Sequence, residues 1–187
     1  MSGAARTGAN GSRTVCIADL YGLGGLGTSP GMLTLAGKIR ALGENFIVLG
    51  PYDPSAWEQA AADLDARPAS DLLGAVGYSL GANNIVEIAA ELGRKIGYLA
   101  GIQASFWGLG GDWSGAITLP PNVGRALSIY NPNFAATFGL GYARYVAPSP
   151  FAGSLQLVST GDLHPDADND AGIHGLILRD LTNLAAA

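Results

Sequence analysis

A serine stands between two glycines in the pentapeptide GYSLG (77–81), a spacing suited to nucleophilic catalysis. The apolar run LLGAVG (72–77) precedes it and a helical pattern, LGANNIVEIAAELG, follows. In such a G-x-S-x-G turn the serine has a strained backbone and its hydroxyl projects above a sheet. We expect glycine to be needed at Gly77 and Gly81, since a side chain there would collide with neighbouring elements. Ser79 is then the candidate nucleophile, with an ordinary glycine-flanked turn as the alternative.

A serine hydroxyl needs a base to take its proton, and the sequence offers two histidines, both after the pentapeptide. His164 follows the apolar run LQLVS (155–159), and we expect Pro165 to keep it outside a helix. His174 lies in the pattern of the last helix, where a structural histidine of the core is the alternative. We favour His164 as the base and keep His174 as the second choice; neither acting as base is the third possibility.

The group that would orient the base is less well defined. The run ALSIY (126–130) should be followed by a carboxylate, but the residues there are Asn-Pro-Asn. Asp162 precedes His174 with a short spacing and is the candidate acid. Asn131 and Asn133 are alternatives as neutral partners of His164. Asp166 and Asp168 are alternatives as carboxylates that would have to reach back to it.

Six short runs, almost continuously apolar, are expected to carry these residues as strands buried on both faces of a parallel sheet. They span residues 14–20, 45–50, 72–77, 96–102, 126–130 and 155–159. Helical patterns separate them, and one of these has Ser55 as a candidate N-cap with Glu58 three residues later. Strands that alternate with helices predict an α/β fold: a three-layer sandwich around a six-stranded, mainly parallel, doubly wound sheet.

Two long connections, residues 103–124 and 131–153, interrupt this alternation. Both follow strands, so they should lie at the carboxyl edge of the sheet, where open α/β sheets bind ligands. Phe106, Trp107 and Trp113 in the first connection are candidates for an apolar substrate-binding wall, or alternatively for a surface flap that seals the core. Tyr21 and Tyr78 are further candidate substrate-binding residues.

Composition predicts one domain over residues 13–187, preceded by a flexible tail at residues 1–12. Of the 187 residues, 48% are hydrophobic and 13% charged, which is sufficient for a core and too little charge for a disordered chain. The net charge of −5 argues against nucleic-acid binding. The one cysteine, Cys16, lies in an apolar run and is expected to be a buried thiol. We expect a cytoplasmic protein, because the sequence shows neither a secretory signal nor an apolar run of about 18 residues.

Together these motifs resemble those of α/β-hydrolases, in particular the small cap-less members: cutinase-like esterases and minimal bacterial lipases. LYGLGGLG (20–27) is similar to the oxyanion loop of such lipases, with Tyr21 in place of the usual histidine. The resemblance implies that the backbone N–H groups of Leu23 and Leu80 bind the oxyanion. GLGGLG also fits a dinucleotide-binding pattern, but no acidic residue ends the next strand, since Asp53 comes too late.

The sequence therefore predicts a serine hydrolase that acts on small-molecule carboxylic esters, with no cofactor, no metal and no membrane span. Asp162, Asp166, Asp168 and Asp170 alternate, but the glycine and distal glutamate of a calcium loop are missing. Acyl transfer or thioester hydrolysis would use the same residues. A non-catalytic binding or structural module with this fold is the main alternative, because the carboxylate after residues 126–130 is missing.

Overall fold

Six parallel strands form the main sheet, in agreement with the prediction from the six apolar runs. A computed structural model describes residues 13–22, 29–105, 115–133 and 140–187. The described strands are β1 (Val15–Leu20), β2 (Phe46–Tyr52), β3 (Leu72–Tyr78), β4 (Ile96–Ile102), β5 (Ala116–Thr118), β6 (Val123–Tyr130), β7 (Arg144–Val146) and β8 (Ser154–Ser159). The main sheet has the order β2-β1-β3-β4-β6-β8, and neighbouring strands are parallel throughout. The carboxyl ends of β3, β4 and β6 therefore lie side by side.

Helices cover both faces of this sheet, which confirms the predicted three-layer α/β architecture. The described helices are α1 (Pro30–Arg40), α2 (Trp57–Asp65), α3 (Leu80–Glu91), α4 (His164–Ala167) and α5 (Ala171–Ala186), with a 3₁₀ turn at Pro54–Ala56. Met32 and Leu35 of α1 and Ile177 of α5 pack in one core cluster. Leu64 of α2 and Ile85 of α3 belong to the cluster on the opposite face. Each such fully buried aliphatic side chain contributes about 1.5–3 kcal/mol through removal from water.

The start of α2 differs from the capping box expected at Ser55. The carboxylate of Asp53 accepts hydrogen bonds from the backbone N–H and the hydroxyl of Ser55, at 2.9 and 2.7 Å. Pro54–Ala56 consequently forms a 3₁₀ turn, and α2 begins only at Trp57. Asp53 therefore caps the 3₁₀ turn, whereas Ala56, the residue before α2, provides no side-chain cap.

The two long connections contain more regular structure than the sequence predicts. β5 and β7, one in each, pair in parallel as a second, two-stranded sheet. Tyr145 of β7 is fully buried and donates a hydrogen bond of 2.6 Å to the carbonyl oxygen of Ala82 in α3. Gly101 makes room for this contact, because a Cβ there would lie 2.1 Å from the Tyr145 hydroxyl. The second sheet is thus tied to the first turn of α3.

Candidate active site

Ser79 occupies a sharp turn between β3 and α3, at the carboxyl edge of the main sheet. Its φ and ψ are 56° and −123°, a region that residues other than glycine rarely adopt. The backbone N–H of Ser79 donates to the carbonyl oxygen of Ile102, the last residue of the neighbouring strand β4, at 3.0 Å. Such strain costs about 1–3 kcal/mol and persists where the surroundings fix the backbone. The strained turn places the serine at the amino end of a helix.

The two glycines of GYSLG are needed because backbone passes very close to both, as the sequence predicts. A Cβ at Gly77 would lie 2.4 Å from the carbonyl oxygen of Gly81. A Cβ at Gly81 would lie 2.2 Å from the carbonyl oxygen of Tyr21, at the end of β1. Gly22, two residues after the end of β1, also lies close to the turn, since a Cβ there would lie 3.1 Å from the Cβ of Ser79. The turn is therefore held against the entry to the glycine-rich loop.

His164 is the histidine that the structure brings to Ser79. Its Nε2 lies 2.9 Å from the Oγ of Ser79, within hydrogen-bond distance. His164 begins α4, so the expectation that Pro165 keeps it outside a helix is wrong. Proline is accepted in the first helical turn because its missing N–H would have no partner there.

Tyr78 holds the imidazole from one side, although the sequence suggests a substrate-binding role for it. Its ring stacks on that of His164, with centroids 4.9 Å apart and planes inclined by 25°. Its hydroxyl donates to the backbone carbonyl of His164. Tyr78 is buried, so the described contacts make it a support for the histidine.

Gln103 contacts the second imidazole nitrogen. Its Oε1 lies 3.0 Å from Nδ1 of His164, and its Nε2 donates to the backbone carbonyl of Asp162 at 2.9 Å. Asn131 donates to the same carbonyl at 3.0 Å, so two side-chain amides hold the segment that precedes His164. The carboxylate of Asp162 itself accepts from the hydroxyl of Thr160. Asp162, the candidate acid, thus contributes its backbone carbonyl to this network, while an amide faces the histidine.

The other carboxylates considered for His164 make different contacts. Asp168 is buried and its Oδ2 accepts from the backbone N–H of Gly31 at 3.1 Å, which ties α4 to the start of α1. Asp166 is exposed. Asn133 donates its backbone N–H to the side chain of Asn131 at 2.9 Å.

His174 is buried in α5 and contacts groups other than Ser79. Its Nε2 lies 2.7 Å from the backbone carbonyl of Asp168, and its Nδ1 lies 3.0 Å from Nζ of Lys38. Lys38 and the carbonyl fix opposite roles for the two nitrogens: Nε2 donates and Nδ1 accepts. These contacts agree with the structural reading of His174 and differ from the alternative in which it serves as the base.

Burial dominates the electrostatics of His164. Removal from water lowers the pKa of its imidazole from 6.5 to about 4, because the charged form is disfavoured. Burial likewise raises the pKa of the Tyr78 hydroxyl, with the charges of Asp168 and Asp166 adding to the effect. Near neutral pH the imidazole is therefore uncharged, the form required of a general base.

Leu80 is the first residue of α3, so its backbone N–H has no carbonyl in a preceding helical turn to bond. Leu23, the other expected oxyanion donor, lies outside the described residues, as do Phe106, Trp107, Trp113 and the predicted tail at 1–12. Tyr21 is half-buried and its hydroxyl lacks a hydrogen-bond partner among the described residues. The backbone carbonyl of Tyr21 faces Gly81 and so lies beside the turn that holds Ser79.

Gln103 is the residue that the sequence argument missed. It directly follows β4, at the same sheet edge as Ser79, and it is fully buried with φ at +46°. A polar residue after a buried, apolar strand was the available signal. The side chain that faces Nδ1 of His164 thus follows β4, whereas the sequence predicts a charged group after residues 126–130, in β6.

A cavity of about 640 Å³ lies at the opposite edge of the sheet and is separate from the serine. Its lining includes Leu72, Gly97 and Gly124, which stand near the amino ends of β3, β4 and β6. Among the described residues, no three histidine, cysteine or carboxylate side chains converge as metal ligands would. The helices in the described ranges are all too short or too polar to cross a membrane.

The fold is that of the α/β-hydrolases, and solved structures support this assignment of the fold. Mouse alpha/beta hydrolase domain-containing protein 10 is similar over 92% of this chain and 90% of its own, with a TM-score of 0.55 and 14% identity. A cutinase-like protein from Cryptococcus sp. is similar over 93% and 96%, with a TM-score of 0.54 and 13% identity. A metagenome-derived lipolytic enzyme is similar over 94% and 95%, with a TM-score of 0.56 and 14% identity. No protein-family model and no curated protein matches the sequence. At these identities the likeness is one of fold, and function depends on the site.

Proposed function

We propose that this chain is a serine hydrolase that cleaves carboxylic esters. The observation that carries the proposal is the 2.9 Å contact between the Ser79 hydroxyl and Nε2 of His164, made from a strained turn at the start of α3. A nucleophile within hydrogen-bond distance of a base, which a third group orients, is the arrangement used in covalent acyl transfer. The cutinase-like and lipolytic structures with the same fold make carboxylic esters the first substrates to test.

In the proposed reaction, Ser79 Oγ attacks the acyl carbon while Nε2 of His164 takes the hydroxyl proton. The resulting tetrahedral oxyanion collapses, the bond to the alcohol breaks, and His164 gives its proton to the departing alkoxide. Water then attacks the acyl-serine with the same proton path, which releases the acid and restores Ser79. Proton transfer by a positioned base contributes typically 10²- to 10⁴-fold in rate.

Leu80 is proposed to stabilise the oxyanion through its backbone N–H. This N–H stands at the positive end of the α3 dipole, next to the nucleophile. Leu23 is proposed as the second donor, since Gly22, the residue before it, packs against Ser79. One such donor is worth roughly 10²- to 10³-fold in kcat.

A second candidate function, a non-catalytic module with this fold, is favoured by one observation. The side chain that faces Nδ1 of His164 is a neutral amide, where a catalytic triad commonly has a carboxylate. If the chain is such a module, Ser79 should be inert towards acyl and phosphonyl electrophiles although the fold is intact.

Turnover of p-nitrophenyl acetate, butyrate and octanoate tests the proposal. We expect Ser79→Ala and His164→Asn each to reduce kcat/KM by at least about 10³-fold, because removal of either partner leaves no activated nucleophile. Ser154→Ala, at an exposed serine of β8, is the matched control and should retain the wild-type rate. Equal turnover by the wild type and Ser79→Ala would contradict the proposal.

A further inference from the structure

We propose that Gln103 is a neutral positioning residue that holds His164 in the tautomer required of a base, in the place of a carboxylate. This inference rests on the proposed function for its catalytic meaning, but its structural content can be measured without turnover.

The contacts around Gln103 determine which way its amide faces. The backbone carbonyl of Asp162 can only accept a hydrogen bond, so the amide nitrogen must face it, at 2.9 Å. The amide oxygen then faces Nδ1 of His164, at 3.0 Å. The reverse orientation would place two acceptors together at Asp162, so the network assigns the amide.

This orientation in turn fixes the protons on the imidazole. The amide oxygen is an acceptor, so Nδ1 of His164 must carry the proton. In the neutral ring, Nε2 then has its lone pair free and accepts the hydroxyl proton of Ser79, at 2.9 Å. Gln103 therefore orients the base as a triad carboxylate would, but brings no negative charge to the imidazolium that forms during reaction.

The surroundings of Gln103 are built to hold this side chain. Its φ of +46° is a strained conformation, and its backbone N–H donates to the carbonyl of Ile129 at 2.7 Å. Gly141 passes so close that a Cβ there would lie 2.4 Å from Oε1. Two residues along, Ser105 exchanges hydrogen bonds with the side chain of Asn83 on α3, both at 2.8 Å. The segment after β4 is thus fixed to the helix that begins at Ser79.

Glutamate would fit this position less well than glutamine. One carboxylate oxygen would accept from Nδ1 of His164, but the other would face the carbonyl oxygen of Asp162. Two acceptors in contact in a buried site repel each other and lose a hydrogen bond. An amide therefore fits this position better than a carboxylate. Because the amide brings no negative charge, we expect His164 to be a weaker base that stays uncharged at acidic pH.

The ¹⁵N spectrum of the imidazoles reads the tautomers directly, and His174 is an internal reference. The chain has two histidines. We expect His164 to be protonated at Nδ1 and His174 at Nε2, because the acceptors face opposite nitrogens. A His174→Gln variant assigns the signals. A wild-type His164 protonated at Nε2 would overturn the proposal.

Gln103→Met, which keeps the length but removes the acceptor, is the main variant. We expect His164 to lose its fixed Nδ1 proton and kcat/KM to fall by up to about 10⁴-fold, the loss seen when a catalytic histidine has the wrong tautomer. In Gln103→Glu the Nδ1 proton should return, and the acidic limb of the pH–rate profile should move to higher pH. An unchanged His164 spectrum in folded Gln103→Met would overturn the proposal.

The two proposals fail separately. If the tautomers are as expected but the wild type hydrolyses no ester, the positioning by Gln103 is supported and the hydrolase proposal is contradicted. If esters are cleaved through Ser79 while Gln103→Met keeps both the wild-type spectrum and the wild-type pH profile, the positioning role is overturned and the hydrolase proposal is supported. Circular dichroism confirms that each variant is folded.

Discussion

The close approach of α3 to β1 makes Gly81→Ala a sharp test of the nucleophile turn. A Cβ at Gly81 would lie 2.2 Å from the carbonyl oxygen of Tyr21 and 2.7 Å from that of Leu20. Carbon and oxygen atoms normally stay more than about 3.2 Å apart, so the helix must move away from the strand by roughly 1 Å. Both contact atoms belong to the backbone, so no side-chain rotation can relieve the clash.

The magnitude follows from two opposing effects. Overpacking of this kind costs about 1–3 kcal/mol or more, whereas alanine in a helix gains up to about 1 kcal/mol over glycine. We therefore expect a net loss of roughly 2 kcal/mol, which for a chain of this length lowers Tm by about 4–8 °C. A 1 Å shift of Ser79 relative to His164 should also reduce kcat/KM by about 10²-fold.

Gly37→Ala in α1 and Gly175→Ala in α5 are matched controls. A Cβ at either position would meet nothing within 4 Å, so only the gain in helix propensity remains. We expect each control to raise Tm by about 2–4 °C, as measured by calorimetry, and to keep the wild-type rate of ester turnover. If Gly81→Ala is as stable and as active as these controls, the described geometry of the turn is wrong.

Three further predictions concern titration and support of the site. If the proposed function holds, the acidic limb of kcat/KM should have its midpoint near pH 4, where His164 becomes charged. At pH 5.5 the protein should then keep about ten times the activity expected for a histidine of pKa 6.5, and a midpoint near 6.5 would refute this. Burial raises the pKa of Asp19, whose Oδ2 has no hydrogen-bond partner in the part of the chain that the structure describes, from 3.8 to about 7. The folded state therefore holds a proton that the unfolded state releases, and stability falls as pH rises through this window. Asp19→Asn should thus gain stability over the wild type by up to about 4 kcal/mol above pH 8, and an equal urea midpoint difference at pH 4 and pH 9 would contradict it. Tyr78→Phe should lower kcat/KM by about tenfold and the free energy of unfolding by roughly 1 kcal/mol, because the hydrogen bond to the backbone carbonyl of His164 is lost while the ring remains. An unchanged rate would show that this hydrogen bond does not position the base.

Much of the fold follows from local patterns in the sequence. The inner strands β1, β3 and β4 are buried on both faces almost throughout, so their runs are almost continuously apolar and easy to recognise. The edge strands β2 and β8 are mostly half-buried or exposed, so the expectation of burial on both faces is wrong for these two. The second sheet was not predicted, because β5 and β7 have three residues each and pair across a long separation. Strands of this length carry too little periodicity to be recognised.

The site was predictable where chemistry is encoded by adjacent residues. Ser79 and its two glycines share one pentapeptide, and the sharp strand-to-helix turn that this spacing indicates is sufficient to predict the steric need for both glycines. The partner of His164 could not be found in this way, because Gln103 and Asp162 lie on different elements and their contact depends on the docking of the segment before α4. Glutamine also carries no charge, so the expectation of a carboxylate beside the base does not indicate Gln103.

Ser79 is proposed to be a nucleophile that His164 activates. Labelling with a fluorophosphonate probe, followed by mass spectrometry of the peptides, measures this reactivity at the serine itself. We predict one phosphonylated peptide carrying the modification at Ser79, no labelling of Ser79→Ala, and labelling of His164→Ala slowed by about 10²-fold or more. A folded wild-type protein that the probe leaves unmodified, or one that it modifies equally well without Ser79, would contradict the claim.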